Sequence, residues 1–114
     1  WETDPLGNSF GAGGLFLTLS ELHKFGLFYL NKGSWNGKQI LSEKWIEEST
    51  SASDTDDYGY LFWRGEHNSF RADGKYSQIT MVLPEKNAVV SLVAECRKGE
   101  ELMRALYDLV CAKI

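Results

Sequence analysis

The first half of the chain carries apolar and small residues at helical spacing. They recur at intervals of three or four residues, as Leu22, Phe25, Gly26 and Tyr29. This pattern predicts an amphipathic helix, and Thr18 followed by Glu21 is the capping-box signature of its start. Gly33 is suited to the turn that ends it. Residues 1–17 are rich in glycine and show no period, so an irregular loop is expected there.

A tight turn and a second, shorter helix are predicted next. The pair Asn36-Gly37 is typical of a tight turn between two short extended segments. Ser42 is expected to cap a helix that runs to about residue 49. Trp45 and Ile46 are expected to be buried on the inner face of this helix.

The second half of the chain changes to a strand-like pattern and closes with a helix. Strands are predicted over residues 58–64, 69–73, 78–83 and 88–95. Gly99 is expected to begin the closing helix. Its apolar stripe is Met103, Leu106, Tyr107, Val110, Cys111 and Ile114. Helices followed by an antiparallel meander and a helix packed on the sheet predict an α+β fold, and residues 1–114 are expected to form a single domain.

Composition and charge narrow the class of protein. The 114 residues are 43% hydrophobic and 25% charged, which is typical of a globular domain. The net charge of −4 and the lack of a basic stripe argue against nucleic-acid binding. No apolar stretch of roughly 18 residues predicts a membrane helix. The first residues do not resemble a signal peptide, so any export signal is expected to lie outside this chain.

The cysteine pair predicts thiols rather than a disulfide. Cys96 follows the last predicted strand, and Cys111 lies near the far end of the closing helix. A helix rises about 1.5 Å per residue, whereas a disulfide needs Cα atoms within about 7 Å. Two buried thiols are therefore expected.

Metal and cofactor motifs are incomplete. Asp54, Asp56 and Gly59 match three positions of a calcium loop, but Gly65 stands where that loop needs a bidentate Glu. The glycines of residues 11–14 lack the other residues of a phosphate-binding loop. The acidic segment is expected to be a solvated loop instead. The glycines are expected to allow the backbone to pack closely against its neighbours. No cofactor or metal is predicted.

The histidines and serines give no motif for nucleophilic catalysis. His23 and His67 have no second His or Cys at metal-ligand spacing, so structural or surface roles are favoured. No serine lies in a Gly-x-Ser-x-Gly elbow. Spacing alone leaves a Ser-His-Asp triad open, because its members meet only in space.

Asp73-Gly74-Lys75 is the remaining candidate for chemistry. A glycine at the end of a strand lets a ligand approach the backbone closely. The N–H group that follows it can point into a cleft and stabilise a developing oxyanion. On local chemistry alone, an ordinary strand with a turn glycine explains the same residues.

Four segments in order resemble the class C β-lactamase-like serine hydrolases, a family with penicillin-binding proteins, D-aminopeptidases and esterases. Residues 13–26 resemble its GGL-x-S/T-x-x-D/E-L-x-x-F helix, and residues 31–42 its L-N-x-G-x-x-x-G-x-x-I-L-S segment. Residues 58–63 are similar to its Y-G-Y-G-W strand. The third-motif strand and its hairpin are matched by Ala72-Asp73-Gly74, Gln78, Pro84 and Val89-Val90.

The resemblance implies the C-terminal portion of a bacterial hydrolase of this family. The family's Ser-x-x-Lys nucleophile and its Tyr-x-Asn-type motif would precede Trp1, and no serine here is followed three residues later by lysine. The chain would then be inactive alone, with the missing N-terminal part as its partner and a small molecule or peptide as substrate. The third motif falls on Ala72-Asp73-Gly74, with the Lys75 N–H as the implied oxyanion donor.

Departures from the family pattern bear on the substrate. Ala72 replaces the residue that helps to hold a substrate carboxylate, and Asp73 is expected to disfavour anions. Tyr76 and Ser77 replace the usual Gly-Gly and are expected to narrow the cleft. A peptidase or esterase is therefore expected rather than a lactamase.

Two alternatives stay open. One is a non-catalytic binding module of the same fold, which the sequence upstream of this chain would distinguish by lacking the two catalytic motifs. The other is an unrelated α+β domain. A domain that lacks part of its fold is also expected to self-associate through an unpaired sheet edge and exposed apolar surface.

Overall fold

The computed structural model describes residues 1–11, 13–53 and 57–114. The helices are α1 (Leu19–Leu30), α2 (Glu43–Thr50) and α3 (Gly99–Ala105). The strands are β1 (Ser34–Trp35), β2 (Lys38–Gln39), β3 (Trp63–Arg64), β4 (Phe70–Gly74), β5 (Gln78–Leu83) and β6 (Ala88–Val93). A 3₁₀ turn at Pro84–Lys86 joins β5 to β6, while a π-helical segment (Leu106–Val110) and a 3₁₀ turn (Cys111–Lys113) continue α3. This arrangement confirms the predicted α+β class.

Helix α1 begins at the predicted capping box. The Glu21 N–H donates to Thr18 Oγ1 at 3.3 Å, and the Thr18 N–H donates to Glu21 Oε2 at 2.8 Å. Together these bonds satisfy two backbone donors that a helix start leaves unpaired. Gly26 and Tyr29 are buried as predicted, but Phe25 remains 40% exposed.

The hairpin and the short helix after α1 form where the sequence predicts them. Asn36 and Gly37 have φ of 49° and 76°, the left-handed backbone that a two-residue hairpin turn requires. Ser42 caps α2 by accepting a hydrogen bond from the Trp45 N–H at 3.1 Å. Ile46 is buried as predicted. The prediction is wrong for Trp45, which is 43% exposed and packs beside Tyr60 instead.

Four antiparallel strands form the main sheet in the order β3-β4-β5-β6. Only Trp63–Arg64 is a strand within the predicted 58–64 segment, because Leu61 takes a left-handed φ of 67° that a strand cannot accommodate. β5 matches its prediction at both ends, and β6 ends at Val93, two residues before the predicted end. The sheet is therefore a meander with one very short edge strand.

Two apolar clusters lie on opposite faces of this sheet. The first packs α1 and α2 on one face and comprises Tyr29, Ile46, Phe62, Phe70 and Val82. The second packs the C-terminal helical region on the other face and comprises Ile79, Met81, Leu83, Leu106 and Cys111. β5 contributes to both clusters, which explains why it is the most deeply buried strand.

The apolar stripe of the closing helix is only partly buried. Leu106 and Cys111 reach the core as predicted, whereas Val110 and Ile114 are exposed. The π-helical segment adds residues per turn, so the regular 3.6-residue spacing behind the prediction does not hold beyond Ala105. None of the helices in the described part of the chain has the length and apolar character of a membrane span.

Candidate functional site

The candidate site lies at the turn between β4 and β5. Gly74 ends β4 and pairs with Gln78, and the three residues between them form the turn. The Ser77 N–H donates to the Gly74 carbonyl at 3.1 Å. Tyr76 and Ser77 have φ of 63° and 70°, a left-handed conformation that costs a non-glycine residue about 1 kcal/mol or more. The resemblance places Gly-Gly at these two positions, and this backbone explains why glycine suits them.

Contacts with the segment after β6 hold the strained turn in place. The Cys96 N–H donates to the Tyr76 carbonyl at 3.1 Å, and the buried Ser77 hydroxyl donates to the Cys96 carbonyl at 3.3 Å. The Gln78 side-chain amide donates to the Ala94 carbonyl. The Tyr76 ring has the Arg97 guanidinium carbon 5.4 Å from its centroid, a cation–π contact. The sequence did not predict these contacts between the turn and the segment after β6, because the contacting residues lie about twenty positions apart in the chain.

A shallow depression of about 420 Å³ opens beside this turn. Its lining residues are Asp73, Gly74, Tyr76, Ser77, Cys96, Arg97 and Gly99. The predicted site residues Asp73 and Gly74 are thus together on its wall. Lys75, the third predicted site residue, does not line the depression, and its ammonium lies 4.9 Å from the centre of the Tyr76 ring.

The charge of Asp73 is compensated within the strand. Its carboxylate Oδ2 lies 3.1 Å from Arg71 Nε, and the two side chains are 25% and 18% exposed. An opposite charge at this distance offsets the field of the carboxylate. Because Lys75 and Arg97 lie near the same depression, Asp73 repels an anionic ligand less than the sequence alone suggested.

The packing around Gly74 leaves little room for a side chain at this position. A Cβ at this position would lie 3.2 Å from the Gln78 Cβ, tighter than ordinary packing. Among the described residues, no backbone carbonyl in the turns and loops accepts a hydrogen bond from the Lys75 N–H. Gly74 therefore leaves the backbone uncovered by a side chain. The Lys75 N–H next to it is a hydrogen-bond donor that these turns and loops do not use.

His23 takes part in a polar network between α1 and the sheet. Its Nδ1 lies 3.1 Å from Ser91 Oγ, which in turn lies 2.8 Å from Thr80 Oγ1. No carboxylate among the described residues hydrogen-bonds to His23, and this network does not line the depression beside Gly74. The contacts agree with a structural role. His67 is exposed, with its ring 6.4 Å from that of Tyr107.

A larger cavity of about 520 Å³ lies between α2 and the start of the sheet, and sequence reasoning did not predict it. Tyr29, Ile46 and Phe70 supply its apolar lining. Both of its cations are already engaged. Arg64 Nη1 donates to the Thr50 carbonyl at 3.2 Å, and Lys32 Nζ lies 3.3 Å from a Glu43 carboxylate oxygen. The cavity therefore offers apolar surface and the Glu47 carboxylate rather than an unpaired cation.

The remaining predictions from the sequence concern metal ligands and thiols. Across residues 1–11, 13–53 and 57–114, no three His, Cys, Asp or Glu side chains come together as a metal site. Asp54 and Asp56 of the partial calcium loop lie outside the described residues, as does Ala12 in the glycine-rich segment. Both cysteines are free. Cys111 is buried, and burial raises its thiol pKa, but Cys96 is half-buried rather than buried as expected.

Comparisons with known proteins identify the fold of this chain and nothing more specific. No family model and no curated protein matches the chain. Among solved structures, the chain resembles a protein named "Putative 6-aminohexanoate-dimer hydrolase" from Bacillus anthracis, with a TM-score of 0.65 and 22% identity. The likeness covers 79% of this chain and 27% of that one, so the chain spans about a quarter of its length. The chain therefore has a partial β-lactamase-like α+β fold.

Proposed function

We propose that this chain supplies one wall of the acyl-transfer site of a β-lactamase-related serine hydrolase and is inactive alone. Gly74 lets the substrate approach the backbone, the Lys75 N–H donates to the developing oxyanion, and Asp73 lies on the rim. The observation that carries the proposal is the position of Gly74 at the end of β4. There it lines a depression, with the Lys75 amide next along the chain.

The chemistry explains why this wall needs a second part. Acyl transfer requires a serine activated by a neighbouring base, followed by hydrolysis of the acyl-enzyme. Backbone donors aimed at the oxyanion contribute about 10²–10³-fold in rate, but they do not replace the nucleophile. No Ser-x-x-Lys occurs in the 114 residues. The proposed partner is accordingly the N-terminal part of the hydrolase.

A small molecule or peptide is the proposed substrate class. The matched Bacillus anthracis protein is named for hydrolysis of a 6-aminohexanoate dimer, which agrees with that class. Compensation of Asp73 by Arg71 removes one objection to a substrate that carries an anionic group. We propose a peptidase, esterase or penicillin-binding type of acyl transfer.

Covalent probes test the claim of inactivity. The chain is incubated with a fluorophosphonate and with a fluorescent penicillin, and its intact mass is measured. We expect no adduct, because the 114 residues contain no Ser-x-x-Lys nucleophile motif. A stoichiometric serine adduct would show that the chain has its own nucleophile.

A graft tests the role of Gly74. Residues 1–114 replace the matched segment of the solved hydrolase, and Gly74→Val is compared with Gly11→Val, where an added Cβ meets open space. We expect Gly74→Val to lower kcat by about 100-fold through loss of the oxyanion wall, while Gly11→Val stays active. An inactive unsubstituted graft, or equal activity of both variants, would count against the proposal.

A non-catalytic interaction module is the second candidate. A groove of about 460 Å³ on the outer face of α1 is lined mainly by apolar side chains, which favours a binding role. They are Phe25, Phe28, Trp35 and Ile40, flanked by Glu21 and Lys24. The sequence that precedes this chain in its gene distinguishes the two candidates. Ser-x-x-Lys and Tyr-x-Asn-type motifs there support the hydrolase.

A further inference from the structure

Ser77 is a buried serine in the turn that carries the proposed oxyanion donor. It is 5% exposed, and residues 75–77 form the loop between the paired ends of β4 and β5. Its φ of 70° lies in the left-handed region, which suits glycine and is unfavourable for a residue with a Cβ. A serine here therefore needs contacts that compensate for its backbone conformation.

The hydroxyl of Ser77 makes one such contact. It donates to the Cys96 carbonyl at 3.3 Å, in the segment after β6. The Cys96 N–H in turn donates to the Tyr76 carbonyl at 3.1 Å. Both left-handed residues of the turn are thus hydrogen-bonded to the same residue outside it, and a shift of the turn would break both bonds.

The N–H of Ser77 connects this contact to the donor. It donates to the Gly74 carbonyl at 3.1 Å. That carbonyl and the Lys75 N–H belong to one planar trans peptide, in which the two groups point in opposite directions. The hydrogen bond from Ser77 therefore fixes the plane of this peptide and, with it, the direction of the Lys75 N–H.

We propose that Ser77 is a positioning residue for acyl transfer. Its hydroxyl holds the turn on Cys96, and its N–H orients the peptide whose Lys75 N–H stabilises the oxyanion. This role rests on the proposed function. An oxyanion donor accelerates the reaction only when it is held in place beforehand, and a misplacement of about 1 Å can cost about 100-fold in rate. All three hydrogen bonds lie within the chain, so the role requires no outside occupant.

Amide hydrogen exchange of the chain, measured by NMR, tests the hydrogen bonds to Cys96 without any enzyme activity. The Cys96 N–H donates to the turn, so its exchange requires the turn to open. Ser77→Ala keeps the strain and loses the hydroxyl, and we expect it to raise this exchange rate about tenfold. Ser77→Gly loses the hydroxyl but relieves the strain, and it should raise the rate less.

Ser69→Ala is the matched control. Ser69 is also buried, at 1% exposure, and its hydroxyl lies 3.1 Å from the Tyr107 hydroxyl. It precedes β4, at the opposite end of that strand from Gly74. We expect Ser69→Ala to lower the free energy of unfolding about as much as Ser77→Ala does, as measured by urea denaturation. The exchange rate of the Cys96 N–H should nevertheless stay unchanged.

Kinetics of the graft into the solved hydrolase test the effect on the reaction. We expect Ser77→Ala to lower kcat about tenfold with KM unchanged, because the donor acts in the transition state. Ser77→Gly should lower kcat less than about threefold, since glycine keeps the left-handed turn. Ser69→Ala should leave both constants unchanged. A loss of stability alone would affect Ser77→Ala and Ser69→Ala equally.

The outcomes separate this role from the proposed function. An unsubstituted graft without activity would count against the proposed function, and the exchange rates alone would then decide whether Ser77 holds the turn. Equal effects of Ser77→Ala and Ser69→Ala on the Cys96 exchange rate would overturn the role of the hydroxyl. In an active graft, a raised KM with unchanged kcat would overturn the positioning role. So would a Ser77→Gly variant that is as impaired as Ser77→Ala.

Discussion

Gly26 sets how closely α1 approaches the sheet. It is buried against Thr80 and Val89, and a Cβ would lie 2.5 Å from the first and 2.6 Å from the second. Thr80 has no room to move, because it is itself buried and hydrogen-bonded to Ser91. The glycine therefore serves packing rather than backbone conformation.

Gly26→Ala tests this packing. Alanine favours a helix over glycine by about 1 kcal/mol, while overpacking a filled core costs about 1–3 kcal/mol. We expect a net loss of about 1 kcal/mol in the free energy of unfolding, measured by urea denaturation. Gly99→Ala is the control, since a Cβ there meets open space and should be neutral or stabilising. A Gly26→Ala variant more stable than the native chain would refute the argument.

The Glu21 carboxylate makes the stability of α1 dependent on pH. Hydrogen bonds from Thr18, first from its N–H and then from its hydroxyl, lower the pKa of Glu21 below its ordinary 4.5. A lowered folded pKa means that the carboxylate stabilises the fold above its ordinary pKa. This stabilisation is lost as the pH falls through the folded pKa.

Glu21→Gln keeps the hydrogen-bond acceptor and removes the charge. We expect the variant to be less stable than the native chain at neutral pH and the difference to shrink below pH 4.5, the ordinary pKa of the carboxyl. Urea denaturation followed across that range measures it. A difference that is constant with pH would show that the ionised carboxylate contributes nothing to the cap.

At the scale of elements, the turn of the β1–β2 hairpin depends on the left-handed backbone of Gly37. Gly37 has φ of 76°, and a Cβ there would meet no other atom. We expect Gly37→Ala to lower the free energy of unfolding by about 1 kcal/mol, because alanine is strained in the left-handed region. Gly37→Asn should lose less, since asparagine tolerates that region. Equal losses in urea denaturation would contradict a purely conformational cause.

The elements that the sequence predicts correctly are those with local signals. The capping box of Thr18, the Asn36-Gly37 turn and the strand β5 each depend on neighbouring residues. The composition of residues 58–64 favours a strand, but the tertiary environment places Leu61 in a left-handed conformation. The helical pattern predicts Trp45 in the core, yet its ring packs beside Tyr60 and stays 43% exposed.

At the candidate site, too, the features with local signals were predicted and those set by tertiary contacts were not. The sequence locates Gly74 at the end of a strand, because glycine and the alternation that precedes it are local features. It does not show that Tyr76 and Ser77 are held in left-handed conformations by Cys96 and Arg97. Those contacts depend on how the segment after β6 returns to the turn, which pattern and propensity do not specify.

At the scale of the molecule, β5 joins the two apolar clusters into one cooperative unit. Val82 packs under α1, and Met81, its neighbour in sequence, packs against Cys111 on the other face. The loss of either cluster would expose side chains of the same strand. We therefore expect the helices on both faces to unfold together in a single transition.

Cys111 reports that transition, and Cys96 serves as its internal reference. Cys111 is buried against Met81, and burial raises its thiol pKa, so the reactive thiolate is doubly disfavoured in the folded chain. In the Cys96→Ala variant, we expect a thiol reagent to react with Cys111 only at urea concentrations where the fluorescence of the tryptophans changes. The Cys111→Ala variant, which keeps the half-buried Cys96, should react under native conditions. Reaction of Cys111 before the fluorescence transition would mean that the C-terminal helical region detaches while α1 and the sheet remain folded.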